Sequence, residues 1–164
     1  MLNNNLKNQK GFTLAELLIT IFVFTVGILG IYLVVQNSYA TINYAKNRLI
    51  AIYLAQEGIE IVRNIRDTNW LEEEESWDEG LFEGTSRVQY DKDFLLPDGG
   101  ETHLRIDNNG FYTYDDGTNS ETPFRRKVDI TKIDDDTILV TVEVKWSDKF
   151  SPVILQEKLY NWHP

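Results

Sequence analysis

The sequence predicts an α+β protein in which one long N-terminal helix packs on a C-terminal antiparallel β-sheet. Three observations carry that prediction. From Leu17 to Val35 nineteen residues run without a formal charge. From Gln36 to Asp67 there is no proline, and apolar residues recur three and four apart. After Trp70 the chain turns to short alternating segments rich in β-branched and aromatic residues.

The elements follow in order. Residues 1–11, MLNNNLKNQKG, form a polar leader whose only charges are Lys7 and Lys10. The uncharged run from Leu17 to Val35 makes a helix of roughly 28 Å, close to the hydrocarbon thickness of a bilayer. Residues 12–35 thus read as a membrane-spanning half-helix, with the lysine-flanked N-terminus on the cytoplasmic side. Gly27 and Gly30 fall inside it, where glycine lets a neighbouring backbone come close.

Residues 36–69 read as the amphipathic continuation. Its predicted packing stripe holds Ala45, Leu49, Ile52, Ile59 and Val62, widened by Ile50, Leu54, Ile61 and Ile65. Glu60 stands three before Arg63, a helical ion-pair spacing. The helix is expected to break near Asp67–Trp70.

Residues 70–164 read as an acidic sheet domain. Strands are expected at 87–90, 103–106, 111–114, 124–130, 137–146 and 153–162, the last three as a meander. Asp107–Gly110, DNNG, is a hairpin turn. The aromatics Tyr112, Tyr114, Trp146, Tyr160 and Trp162 are expected mostly in the core or in cross-strand pairs. One face of such a sheet needs a cover, and the amphipathic half-helix supplies it.

Charge narrows the function. Residues 1–69 carry a balance of +2 and residues 70–164 a balance of −12. So acidic a surface opposes phosphate, and no nucleic acid contact is expected. With no cysteine in the chain, neither a disulfide nor a thiolate metal site is available. His103 and His163 read as ordinary surface residues. The acidic stretches Tyr114–Glu121 and Ile133–Thr137 offer oxygen ligands but match no EF-hand loop, and read as turns rather than a calcium site. No cofactor, metal site or catalytic set is predicted, and the chain reads as a non-enzyme.

The chemistry concentrates in KGFTLAELL, Lys10–Leu18. A glutamate at the front of an apolar run costs free energy unless something answers its charge. A cleavable secretory signal, ending at the small-x-small site Ser38–Ala40, leaves Glu16 without purpose. A plain anchor leaves both Gly11 and Glu16 unexplained. The segment resembles the class III signal of type IV pilins and of the pseudopilins of type II secretion. Leader charge, glycine, phenylalanine, glutamate and apolar run agree in order and spacing.

That resemblance implies a pilin-like fold and cleavage by prepilin peptidase between Gly11 and Phe12. Phe12 becomes the N-methylated terminus and Glu16 the fifth residue. It further implies a structural subunit held in the cytoplasmic membrane, its sheet domain outside. An assembly platform then draws it into a pilus or pseudopilus, where Glu16 faces the freed α-amino group of another pilin subunit. Leu54–Asp67, LAQEGIEIVRNIRD, and the ending VKW…LYNW resemble minor pilins of the pilus-modification type. The competing reading is a single-pass anchored binding or sensor domain that never polymerises.

Overall fold

The computed structural model describes residues 11–72, 76–116 and 120–162. It has the predicted α+β, pilin-like architecture: one long N-terminal apolar helix followed by antiparallel sheet. The chain divides into two units, Met1–Tyr44 and Ala45–Pro164, and the helix α1, Leu14–Leu71, contributes to both.

In the first unit every residue from Gly11 to Asn43 is exposed. The helix here has apolar side chains all round. Phe22, Phe24, Ile31 and Val34 each keep well over half their surface in the open. Such a segment requires lipid or other helices around it.

Among the described residues the second unit has eight strands. These are β1 (Gly84–Arg87), β2 (Leu96–Pro97), β3 (Arg105–Ile106), β4 (Tyr112–Thr113), β5 (Ser120–Glu121), β6 (Arg125–Asp134), β7 (Thr137–Lys145) and β8 (Val153–Tyr160). They form two sheets rather than the expected one: five strands in the order β2-β1-β6-β7-β8, and three in the order β4-β3-β5. Every pairing is antiparallel, and β6, β7 and β8 make the predicted meander.

The large sheet puts one side of each long strand inward. Val128 stands opposite Val142 and Ile130 opposite Val140, all fully or almost fully buried. Leu54, Ala55, Gly58, Ile59 and Val62 of α1 are buried too. Gly58 makes the close approach possible, since a Cβ there would lie 3.0 Å from Val142 Cγ1 and 3.3 Å from its Cγ2.

Several expectations are corrected. Ala45 and Leu49 are exposed, and the buried face begins at Ala51 instead. The helix runs through Asp67–Trp70 to Leu71, with Asn69 Nδ2 donating to the carbonyls of Trp77 (3.2 Å) and Glu79 (2.8 Å). The strand expected at 87–90 lies at Gly84–Arg87, paired with β6, and Val88 is buried beyond its end. The segments 103–106 and 111–114 shorten to two-residue strands, and β2 and β5 were not anticipated. Trp146 is buried as expected, but Tyr160 and Trp162 are exposed. Trp162 meets Trp70 edge-on, with centroids 4.4 Å apart.

The DNNG turn forms where predicted, joining β3 to β4. Asp107 Oδ1 accepts from the N–H groups of Asn109 (2.8 Å) and Phe111 (2.9 Å), and Gly110 takes φ +90°, which only glycine adopts freely. The predicted Glu60–Arg63 pair forms at 2.5 Å, and Arg63 also reaches Glu157 of β8 at 2.6 Å.

Candidate processing and assembly site

The site is assembled at the start of α1. Gly11, Phe12 and Thr13 lie outside any helix or strand, and the helix begins at Leu14. Phe12 is 75 % exposed, and among the described residues nothing stands within 4 Å of the position a Gly11 side chain would take. None of the described residues therefore crowds the Gly11 side of the Gly11–Phe12 bond.

Thr13 caps the helix. Its Oγ1 accepts from the Glu16 N–H at 3.3 Å, and its carbonyl accepts from Leu17 N–H at 3.2 Å, the first helical bond. Thr13-x-x-Glu16 thus has the spacing of a capping box, with Glu16 as an acid in the first turn, where the helix dipole favours negative charge. This polar spacing was not among the expected features. A threonine three residues before a glutamate at the head of an apolar run was there to find it.

The carboxylate of Glu16 is exposed. The hydroxyls that follow are turned back on the helix. Thr20 Oγ1 donates to the Glu16 carbonyl (2.7 Å), Thr25 to Ile21 (2.7 Å), Ser38 to Val34 (2.9 Å) and Thr41 to Asn37 (3.0 Å). α1 is long and apolar enough to cross a membrane. Of the residues singled out from the sequence, Gly11, Phe12 and Glu16 thus fall within one turn of the cap. Lys7 and Lys10 lie outside the described residues.

Residues 6–32 match the family model of the prokaryotic N-terminal methylation motif. The chain carries the N-terminal signal of a type IV pilin-like prepilin. No curated protein and no solved structure matches it. The prepilin signal implies processing by a prepilin peptidase and assembly with other pilin subunits, and it fits a membrane-anchored pilin of structural function. The matched residues enclose the cap, Glu16 and most of the exposed apolar helix.

Among its described residues the sheet unit presents no comparable site. Among the described residues no group of three or more His, Asp or Glu is placed to hold a metal ion. His103 Nδ1 lies 3.0 Å from Glu121, and Asp116 pairs with Arg105 at 3.2 Å. Asp134 accepts from the Asp136 N–H at 3.0 Å, as an acidic turn does. Residues 117–119, inside the stretch Tyr114–Glu121, and His163 lie outside the described residues.

Proposed function

We propose that this chain is the precursor of a minor pilin, a structural subunit of a type IV pilus or related pseudopilus. Prepilin peptidase cuts between Gly11 and Phe12, the new Phe12 terminus is N-methylated, and Lys7 and Lys10 of the leader hold the bond at the cytoplasmic face. The apolar half of α1 then anchors the subunit in the cytoplasmic membrane, with the acidic sheet unit outside, until the assembly platform moves it into the filament.

The observation that carries this reading is the arrangement at the helix start. The Gly11–Phe12 bond, a capped first turn and a carboxylate sit in order at the head of a helix exposed on all sides. Cleavage at Gly11 frees an α-amino group four residues before Glu16. In a bundle of such helices the amine of one subunit and the carboxylate of its neighbour neutralise each other. At the membrane margin that pairing contributes about 1–3 kcal/mol, enough to favour one register.

Mass spectrometry of the protein from the native membrane is expected to find a methylated terminus at Phe12, and in sheared filaments a small fraction of the subunits. Glu16→Ala is expected to be processed normally and to be lost from filaments. A terminus at Thr41 overturns the reading in favour of a secretory signal. Undiminished incorporation of Glu16→Ala overturns it in favour of an anchored domain that does not polymerise.

A further inference from the structure

The two edges of the five-stranded sheet are built differently. β2 has two residues and ends in Pro97, so it gives a further strand little backbone to pair with. β8 has eight residues and no proline, and it pairs with β7 in unbroken register from Val144↔Val153 to Thr137↔Tyr160. Among the described residues no strand lies along its other side.

The phase of the ladder identifies the groups left over. Asn161 N–H donates to the Asp136 carbonyl at 2.9 Å, one step past the Thr137↔Tyr160 pair. In an antiparallel ladder hydrogen-bonded pairs alternate, so residues 153, 155, 157 and 159 are the ones that exchange bonds with β7. The N–H and C=O groups of Ile154, Gln156, Lys158 and Tyr160 point away from it. Beside this edge lies a groove of about 480 Å³, lined by Gln56, Ile59 and Glu60 of α1 and by Leu155, Gln156 and Glu157 of β8. It is apolar at Ile59 and Leu155 and acidic at Glu60 and Glu157. Arg63 bridges the two acids, which leaves one negative charge in excess.

We propose that β8 is a docking edge that takes an extended basic segment of a partner protein as a sixth strand. The incoming backbone bonds to the outward groups of Gln156 and Lys158, and its residues opposite Leu155 and Glu157 turn toward α1. The first meets Leu155 and Ile59 and is apolar. The second meets Glu157 and Glu60 and is lysine or arginine. The −12 balance over residues 70–164 attracts such a segment and keeps two copies of this chain apart. The proposal needs only the edge and the groove, and stands whether or not the chain enters a filament.

The test is amide hydrogen exchange on the full-length protein in detergent, titrated with a short end-blocked peptide, Val-Thr-Lys-Thr-Val-Thr-Lys, which presents valine and lysine in turn on one strand face. Exchange across Ile154–Tyr160 is expected to slow by about tenfold or more. A peptide of the same composition with its lysines grouped is expected to bind about tenfold more weakly. Gln156→Pro, which deletes an outward N–H and spares the β7 ladder, should abolish the slowing. Glu60→Gln, at an exposed position, should weaken binding with the melting temperature little changed. Equal binding of the grouped-lysine peptide, slowing elsewhere in the sheet, or full binding by both variants overturns the proposal. So does concentration-dependent protection of β8 without peptide, which assigns the edge to a second copy.

Discussion

Arg126 has no exposed side-chain surface, and two backbone carbonyls accept from its guanidinium, while its buried Nε finds no hydrogen-bond partner among the described residues. Nη1 donates to the Leu54 carbonyl at 3.0 Å and Nη2 to the Val88 carbonyl at 2.7 Å, while Glu57 stands 3.3 Å from Nη1. Its own carbonyl accepts from the Tyr114 hydroxyl at 2.9 Å. One residue therefore joins α1 and the segment beyond β1 through its side chain, and the Tyr114 loop through its main chain. Removing it strands an acid and two carbonyls, so Arg126→Ala is expected to cost about 3–5 kcal/mol in denaturant unfolding followed by tryptophan fluorescence. Arg126→Met, which keeps the volume, should lose less. Part of this was legible in the sequence. The alternation Phe124, Arg126, Val128, Ile130 turns the arginine toward the core, but its partners are 38 and 72 residues away in the chain. No local pattern encodes contacts at that separation.

Among the elements, α1 shows where periodicity reaches its limit. Its existence and its two-part character follow from the uncharged run and from the absence of proline. Its packing face does not, because apolar residues occur on more than one side between Ala45 and Ile65. The sheet selects the side with the small residues Ala51, Ala55 and Gly58, which score weakly as hydrophobic yet let Val142 approach. Larger Leu49 and Tyr53 are left exposed. Gly58→Leu is accordingly expected to destabilise the sheet unit by about 1–3 kcal/mol or more through overpacking, despite leucine's better helix propensity. Thermal unfolding measures it. The short strands β2 and β5 escaped prediction for a related reason: two residues carry no period. At the helix start the Thr13 cap went unread, because its signal is a polar spacing rather than an apolar one.

At the scale of the whole molecule, acid is the natural stress for a chain of net charge −10. Asp78 is half-buried. Burial pushes its carboxyl up, but hydrogen bonds from the Ser76 hydroxyl and Lys132, with the lysine's charge, outweigh that and hold it below the usual carboxylate range. Gln89 does the same for Asp91, the Phe111 N–H for Asp107, and Lys145 for Asp148. A carboxyl lowered by folding stabilises the folded state above its unfolded pKa of about 4, and loses that contribution as pH falls through the folded value. Stability of the sheet unit is therefore expected to hold from neutrality to about pH 5 and to decline below about pH 4. Asp78→Asn should make that decline shallower, as chemical denaturation at a series of pH values will register.

The back-bonded hydroxyls of α1 bear on how such a subunit changes surroundings. Thr20, Thr25, Ser38 and Thr41 each satisfy a carbonyl one turn earlier in their own helix. On the proposed function, transfer of the membrane half from fatty acyl chains to the interior of a fibre exchanges one oily medium for another and leaves the Thr20 and Thr25 bonds intact. On that same proposal Glu16 takes a new companion on entry and releases it on withdrawal.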